Sequence, residues 1–393
     1  MSGAPMRPPP DITAPRSSRA SAVRSTHGPR RVAILLPDLC PGGAERMHLH
    51  LAREWARQGV AVDFVLQRAR GGLLEQLPAG CRVVDLATPR LRGVLWPLVR
   101  YLRESPPDAL LAAMWPLTVI APIAASLARC GTRVAVSEHS PLSIAHARRG
   151  KLHRILLRAS QRIAYPLAAV RIAVSRGVAD DMAATSGLSR DRFVVVANAA
   201  AGTCPHAFDR APARAGAGPT ILAVGTLKKV KRHDLLIDAF ARLPEHLGAR
   251  LWIVGEGPER PDLERRIADR GLEGRVVLQG HSDDPGSWYA KADLFVLASD
   301  YEGFGNVLVE AMEYGLRIVS TDCPVGPADV LDGGRYGRLV ASGDAQALAE
   351  AIQASLAAPV DRDALLRRAR EYDVADVAAR YLGLLFPADG EHA

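Results

Sequence analysis

The sequence predicts an α/β protein made of two Rossmann-like, doubly wound domains that face each other across a cleft. Three observations lead to this fold. The chain has 393 residues, a length that suits two cores rather than one. Its composition, 48% hydrophobic and 23% charged, is that of a globular α/β protein. Short β-rich runs alternate with helical periodicity in both halves, which is the pattern of parallel sheets covered by helices.

The first half opens with a predicted βαβ unit. Residues 31–37 are a β-rich run, residues 44–58 have helical periodicity, and residues 60–66 return to a strand pattern. The same alternation continues along this half. It predicts further strands at 82–86, 109–113, 133–137, 170–174 and 193–196.

One uncharged stretch, residues 109–128, is long enough to span a membrane. Pro116 and Pro122 interrupt it. A strand, a loop and a buried helix explain the same residues, and the regular patterns on both sides favour this second interpretation.

The second half repeats the alternation after a linker that is rich in Ala, Gly and Pro at residues 201–219. A new strand begins at residues 220–224. Further strands are predicted at 251–254, 276–279, 294–297 and 317–320, with helices at 231–243, 258–270, 305–314 and 344–357.

The chain is therefore divided into four segments. Residues 1–29, rich in Pro, Ser and Arg and without the apolar core of a signal peptide, are expected to be a disordered basic tail, with membrane tethering as the alternative role. The two domains are expected at 30–205 and 206–370. Residues 371–393 are expected to form a C-terminal helix that packs back toward the first domain.

Charge is distributed unevenly. The net charge is +8, and the first 200 residues carry about twice as many basic as acidic residues, whereas the remainder is mildly acidic. A basic surface attracts phosphates, so nucleic acid, anionic lipid headgroups and diphosphate substrates are all open as partners. The five cysteines lie far apart without a metal-binding spacing, which predicts reduced thiols in a cytoplasmic protein and no metal site.

The most informative stretch is S-D-Y-E-G-F-G-N-V-L-V-E-A-M, residues 299–312. It places Glu302 in a glycine-containing loop and Glu310 in the helix that follows. If Gly305 or Asn306 opens this helix, its free backbone N–H groups can hold a diphosphate, while Glu310 accepts hydrogen bonds from ribose hydroxyls. The alternative is an acidic loop followed by a solvent-facing helix glutamate.

This stretch resembles the E-x7-E signature of the retaining GT-B glycosyltransferases of family 4. Its neighbours resemble the family's other segments in the usual order, namely G-T-L-K-K-V-K-R-H-D-L-L-I-D-A-F (225–240), I-V-G-E-G-P-E-R (253–260), A-D-L-F-V-L-A-S (292–299) and I-V-S-T-D-C-P-V-G-P (318–327). The first domain is similar more loosely, through P-G-G-A-E-R (41–46), S-E-H-S (137–140), A-V-S-R-G-V (173–178) and V-V-V-A-N (194–198).

The resemblance implies a GT-B fold with an acceptor-side N-terminal domain and a donor-binding C-terminal domain. It implies retaining transfer from a nucleotide-diphosphate sugar, without a metal or another cofactor. The residues implied to be catalytic are His139, Lys231 and Glu302, with a satisfied structural histidine as the alternative for His139. The residues implied to bind the donor are Gly42, Gly43, Gly225, Thr226, Lys231, Gly255, Gly303, Phe304, Gly305, Asn306, Val307 and Glu310. Glu138 and Asn198 are expected on the acceptor side, with a turn-capping role for Glu138 equally open.

Two positions depart from the family pattern. Thr226 stands where the family often has an arginine, whereas Lys231 keeps the place of the family's lysine and can neutralise the leaving diphosphate. Lys228 or Lys229 could compensate, or both could be solvated. Ala199 follows Asn198 where Gly or Pro is common. No general base is evident, and the resemblance implies that the donor's own phosphate oxygen accepts the proton of the acceptor on the same face.

The basic first half suggests an anionic or membrane-bound acceptor, such as a lipid-linked saccharide in surface-polysaccharide assembly. Residues 90–100 and 148–158 have the basic and apolar composition of helices that lie on membranes, although solvated faces are equally compatible. Peripheral contact with the cytoplasmic membrane face therefore stays open. Two other functions are a GT-B-fold nucleotide-sugar epimerase and a nucleotide-sugar-binding protein without turnover. Nucleic-acid binding is disfavoured, because basic and aromatic residues are not interleaved.

Overall fold

The computed structural model describes residues 30–202 and 218–387. The expected basic tail, the expected boundary between residues 205 and 206, and the last six residues lie outside the described ranges. The first sheet contains strands β1 (Arg31–Leu36), β2 (Ala61–Leu66), β3 (Arg82–Asp85), β4 (Ala109–Ala113), β5 (Arg133–Glu138), β6 (Val170–Ala173) and β7 (Val194–Val195). The second sheet contains β8 (Thr220–Val224), β9 (Arg250–Val254), β10 (Val276–Gly280), β11 (Leu294–Leu297), β12 (Arg317–Thr321) and β13 (Arg338–Val340).

Both sheets are parallel and doubly wound. Their strand orders are β3-β2-β1-β4-β5-β6-β7 and β10-β9-β8-β11-β12-β13. In each sheet the strands are added in one direction from the first strand, β1 or β8, and later in the opposite direction from its other side. Strand β1 pairs in parallel with β2 on one side and β4 on the other, and β8 does the same with β9 and β11. This confirms the predicted fold class. A ligand site is expected where the strand order reverses, outside the carboxyl ends of the strands.

Helices cover both faces of the sheets. In the first half they are α1 (Gly43–Arg57), α2 (Leu95–Glu104), α3 (Leu117–Ala128), α4 (Leu142–Ala145), α5 (Lys151–Ala164) and α6 (Arg176–Ser186). The second half contains α7 (His233–Phe240), α8 (Arg260–Asp269), α9 (Gly286–Tyr289), α10 (Asn306–Glu313), α11 (Pro327–Val330), α12 (Ala345–Ala357), α13 (Arg362–Arg370) and α14 (Val374–Leu385). The parallel strands are buried on both faces, as the fully buried run from Val32 to Leu36 illustrates.

The uncharged stretch at 109–128 forms strand β4, a loop and helix α3, with Pro122 inside the helix. Within the described ranges, no helix combines the length and the apolar character that a membrane crossing needs. The hydrophobicity of this stretch therefore serves the protein core, since nearly all of β4 and much of α3 are buried.

The last helix, α14, packs against the first sheet. The fully buried Trp55 on α1 donates from Nε1 to the carbonyl oxygen of Ala378 at 3.0 Å. Tyr381 is also fully buried, and its hydroxyl lies 3.4 Å from Ser137 Oγ on β5. We infer that residues 371–387 extend the N-terminal domain, and that the second domain ends near residue 370.

The chain crosses between the two sheets twice, and the two crossings run side by side. Ala201 N donates to Tyr372 O at 3.1 Å, and Val374 N donates to Ala201 O at 3.3 Å. Helix α10 supports the same junction, because Glu313 Oε1 accepts a hydrogen bond from Gly202 N at 2.6 Å. At this junction the described ends of the two crossings therefore satisfy one another's backbone polar groups.

Candidate active site

A cavity of about 720 Å³ lies between the two sheets, at the carboxyl ends of their strands. Its walls come from the start of α1, from the loops after β8, β9 and β10, and from the first turns of α10. Eight of the predicted donor-binding residues line it, namely Gly42, Gly43, Gly225, Thr226, Gly255, Asn306, Val307 and Glu310. The other predicted site residues are not part of its lining, namely Lys231, Gly303, Phe304, Gly305, His139, Glu302, Glu138 and Asn198.

Two helices from different domains begin at the same place in this cavity. Helix α1 starts at Gly43 and α10 at Asn306, and Asn306 Nδ2 donates to Gly43 O at 3.2 Å. Asn198 Nδ2 donates to Asn306 Oδ1 at 2.8 Å and so extends the connection to the end of the first sheet. Neither helix has a side-chain N-cap, which leaves backbone N–H groups at the start of α10 for an anion. At the start of α1 the carboxylate of Glu45 lies against Gly42 and accepts a hydrogen bond from its own backbone N–H, so an anion competes with it there.

The glycine before α10 has a conformational reason. Gly305 has a φ of 98°, which lies in the left-handed region that disfavours residues with a Cβ. This geometry lets the loop turn sharply so that the helix begins at Asn306, as the sequence predicts. The loop therefore presents the helix start to the cavity.

Lys231 and Glu302 form an ion pair beside the cavity. Lys231 Nζ lies 2.6 Å from Glu302 Oε1, and Ser299 Oγ donates to the same oxygen at 2.7 Å. The side chains are 22% and 11% exposed, so water screens the pair weakly. The stem of Lys231 packs against Gly225, and the ammonium thus stands next to the wall that Gly225 and Thr226 form.

Glu310 is a carboxylate in the cavity wall, one turn inside α10. Tyr289 donates its hydroxyl to Glu310 Oε2 at 2.8 Å. Burial raises the pKa of Glu310, and the hydrogen bond from Tyr289 and the charge of Arg46 oppose that rise. The environment leaves this side chain able to accept further hydrogen bonds from a hydroxylated ligand.

The Glu302–Gly305 loop is pressed against the N-terminal domain. A Cβ at position 303 would overlap the carbonyl oxygen of His139, so only glycine fits there. Ser175 Oγ donates to Gly303 O at 2.7 Å. Phe304 packs edge-on against Tyr372 with ring centroids 5.2 Å apart. The two domains are thus in direct contact beside the predicted catalytic pair.

His139 lies at the end of β5 with its ring buried. Its Nε2 is 3.2 Å from Ser137 Oγ, and its ring centroid is 5.1 Å from that of His48. Burial, and then the neighbouring His48, hold the pKa of His139 well below its ordinary value, so the ring is neutral at pH 7. Its Nδ1 has no hydrogen-bond partner among the described residues. A neutral imidazole can exchange a hydrogen bond with a hydroxyl, but it holds no spare proton for general acid catalysis.

Glu138 points into the N-terminal domain and does not line the cavity. It is 1% exposed and accepts hydrogen bonds from Thr118 Oγ1 at 2.5 Å, from Tyr165 OH at 2.9 Å and from Trp115 N at 3.3 Å. Burial raises its pKa to about 7, although these donors oppose the rise. Glu138 was expected either on the acceptor side or as a turn cap. These contacts favour the turn-capping role, at the loop that contains Trp115.

Sequence reasoning missed a row of residues on α1. Arg46, His50 and Arg53 line the cavity at the spacing of one helix face. The helical period could have identified them, because they follow Gly43 at steps of three or four residues and therefore lie on the same face of α1. By contrast, Lys228 and Lys229 are exposed and do not line it. Within the described ranges, no group of three His, Cys, Asp or Glu side chains could hold a metal ion.

Comparison with known proteins agrees with this geometry. Residues 41–200 match the model described as Glycosyltransferase Family 4, and residues 218–358 match Glycosyl transferases group 1. The chain is 30% identical over 341 residues to the lipopolysaccharide core biosynthesis glycosyltransferase LpsE of Rhizobium meliloti, which covers 84% of this chain and 90% of LpsE. A Campylobacter jejuni diphospho-undecaprenol N-acetylgalactosaminyltransferase is 40% identical over 120 residues, 30% of this chain and 32% of that protein.

Solved structures show the same fold. Anabaena HepE in complex with UDP and glucose superposes with a TM-score of 0.73 at 23% identity, over 91% of this chain and 99% of HepE. The lipopolysaccharide glycosyltransferase WaaG superposes with a TM-score of 0.69 at 20% identity, over 91% of this chain and all of WaaG. The family matches, the long LpsE alignment and the shared architecture together identify the chain as a GT-B-fold glycosyltransferase that belongs to family 4, the glycosyl transferases group 1.

Proposed function

We propose that this protein is a retaining, metal-independent glycosyltransferase that moves a sugar from a nucleotide-diphosphate sugar to a lipid-linked saccharide, in the assembly of a surface polysaccharide or glycan. The observation that carries the proposal is the meeting of two helix starts, Gly43 and Asn306, beside the half-buried carboxylate of Glu310 in the cavity wall. The names of LpsE and of the C. jejuni transferase support the acceptor class, and the UDP-glucose complex of HepE supports a UDP-sugar donor.

In this proposal the donor lies along the cavity. Glu310 binds the ribose hydroxyls, and the helix starts bind the diphosphate. Lys231 neutralises the charge that builds up on the diphosphate as its bond to the sugar breaks, which removes the need for a divalent ion. The sugar then lies toward Glu302 and the loop that contacts His139, whose buried Nδ1 has no hydrogen-bond partner among the described residues.

The transfer itself occurs on one face of the sugar. The bond between the anomeric carbon and the diphosphate oxygen breaks with its electron pair on the diphosphate. The acceptor hydroxyl forms the new bond on the same face and passes its proton to a phosphate oxygen of the leaving group. The diphosphate therefore serves as the base, which is consistent with a buried, neutral His139 and a Glu302 already paired with Lys231.

The surface of α5 supports peripheral contact with the anionic cytoplasmic face of a membrane. Four of its apolar side chains, Leu152, Ile155, Leu156 and Ile163, are 58–70% exposed. Basic side chains stand among them at Lys151, Arg154, Arg158 and Arg162. An amphipathic helix of this composition binds at the headgroup boundary of anionic bilayers. Trp96 on α2 is also 68% exposed.

The test is a turnover assay on the purified protein with a panel of nucleotide sugars, with and without EDTA and with a membrane lipid extract. We expect release of nucleoside diphosphate from one donor, dependence on the extract, survival in EDTA, and loss of activity in Glu310→Ala. Glu264→Ala, which removes an exposed carboxylate from α8, is the matched control and should stay active.

Three other outcomes would contradict parts of the proposal. Loss of activity in EDTA would show that the transfer needs a metal ion. Interconversion of one nucleotide sugar into another without an acceptor would identify an epimerase. Binding of a nucleotide sugar without turnover in the presence of the extract would leave a nucleotide-sugar-binding protein.

A further inference from the structure

The positive charge that the C-terminal domain offers to a diphosphate is largely compensated within that domain. Lys231 is paired with Glu302 at 2.6 Å, and Arg232 contacts Asp234 and Asp300. Thr226, which lines the cavity, carries no charge. A nucleoside diphosphate brings at least two negative charges, so these groups alone leave the ligand poorly neutralised.

The N-terminal domain offers to the same cavity a cation without an ion-pair partner among the described residues. Two arginines of α1, Arg46 and Arg53, line it. Arg53 donates to the carbonyl oxygen of Gln76 at 2.9 Å, whereas the side chain of Arg46 has no hydrogen bond or ion pair with any described residue. The nearby His50 adds no charge at pH 7, because burial and the two arginines lower its pKa to about 4.

Arg46 stands where it can reach an anion at the helix starts. It lies in the first turn of α1, and its backbone N–H donates to Gly42 O at 3.0 Å. Gly43, three residues earlier, contacts Asn306 at the start of α10. The charge of Arg46 is also felt at Glu310, one turn inside α10, where it lowers the carboxylate's pKa. The guanidinium therefore faces the point where the two helices meet.

We propose that Arg46 binds the diphosphate of the nucleotide sugar from the N-terminal domain, so that the donor is clamped between Arg46 and Lys231. This inference rests on the proposed donor site and assigns it a second cation from the opposite domain. A guanidinium makes two parallel hydrogen bonds to phosphate oxygens, which fixes the orientation of the diphosphate as well as its charge. Donor binding then also stabilises the contact between the domains.

The test compares ligand affinity with and without the second phosphate. Isothermal titration calorimetry with UDP, GDP and ADP identifies the diphosphate that the wild type binds best, and the matching monophosphate is titrated next. In Arg46→Ala we expect the affinity for the diphosphate to fall about 10- to 100-fold and that for the monophosphate to fall less. Arg46→Lys should keep part of the affinity. Arg57→Ala removes one charge from the far end of α1 and should bind as the wild type does.

The variant Arg46→Gln keeps most of the side-chain stem without the charge, so it keeps the inference testable if Arg46→Ala disturbs folding, and the same fall in diphosphate affinity is expected. Thr226→Arg places a guanidinium on the opposite wall of the cavity, so the double variant Arg46→Ala/Thr226→Arg should recover most of the lost diphosphate affinity. Thermal unfolding of each variant checks that the fold is intact.

The opposing results are distinct. If Arg46→Ala binds the diphosphate within twofold of the wild type, or loses both ligands equally, Arg46 does not bind the second phosphate and the inference is overturned, although the donor site stands. If the wild type binds none of the three diphosphates, the proposed function fails together with the inference.

Discussion

The two sheets have closely similar topologies, yet the two domains contribute to the cavity in different ways. The C-terminal domain offers side chains from loops and a short helix, among them Glu310 in the wall and the Lys231–Glu302 pair beside it. The N-terminal domain offers mainly backbone at Gly42 and Gly43 and one face of α1, while Glu138 points into its own core. The wall from the C-terminal domain is therefore built from a few short sequence segments. The wall from the N-terminal domain depends on packing between residues that are far apart in the sequence.

The largest effect should come from the C-terminal domain. Lys231→Ala removes the ammonium that stabilises the leaving diphosphate, and we expect kcat to fall about 10³-fold with a smaller change in KM for the donor. Steady-state kinetics with the donor that the turnover assay identifies measures this. Lys229→Ala removes an exposed lysine of the same loop and is the control. Equal losses in both variants would mean that general charge, and not the position of Lys231, matters.

A smaller effect should come from the buried carboxyl of the N-terminal domain. The pKa of Glu138 is raised to about 7, so the folded protein binds a proton that the unfolded chain has released above pH 4.5. The stability that Glu138 contributes is therefore present at low pH and is lost as the pH rises through 7. Relative to Glu138→Gln, the wild type should lose about 2 kcal/mol of unfolding free energy between pH 5 and pH 8.

Urea unfolding of both proteins at the two pH values measures this difference. Glu104→Gln, at an exposed position on α2, should follow the wild type at both values. A stability gap between wild type and Glu138→Gln that does not change with pH would show that Glu138 stays charged in the folded protein.

The smallest effect should come from the surface of α5. The double variant Ile155→Asp/Leu156→Asp replaces two exposed apolar side chains with charges that anionic lipid repels. We expect its partitioning onto anionic liposomes to fall about tenfold at low salt, measured by flotation. Leu127→Asp, at an apolar position on α3 that is 41% exposed, should float as the wild type does. If the wild type itself stays unbound at low salt, the membrane contact is wrong.

The same contrast explains what could be predicted from the sequence. The buried parallel strands are continuous apolar runs, so most of the strands and main helices were predicted close to their observed bounds. Strand β13 was missed, because its three residues are partly exposed and carry no pattern. The start of α10 was predicted to within one residue, because a glycine-containing turn ahead of a helical pattern is a local signal.

Other features depend on contacts between distant segments. The burial of Glu138 follows from Thr118 and Tyr165, and the contact between Gly303 and His139 joins the two domains. The orientation of Arg46 into the cavity depends on how α1 meets α10. A single sequence without its three-dimensional contacts carries no direct signal for these arrangements. The roles assigned to the site residues and the domain bounds stay predictions until they are measured.

The packing of α14 onto the first sheet has a consequence for recombination. Residues 374–385 cover a surface that α1 and β5 leave open. The first sheet is therefore covered by helices from two separate parts of the sequence, one before and one after the second sheet. A chimera that exchanges acceptor halves between relatives therefore needs two crossovers, one near each interdomain crossing. A single crossover would leave Trp55 and Ser137 facing a foreign helix.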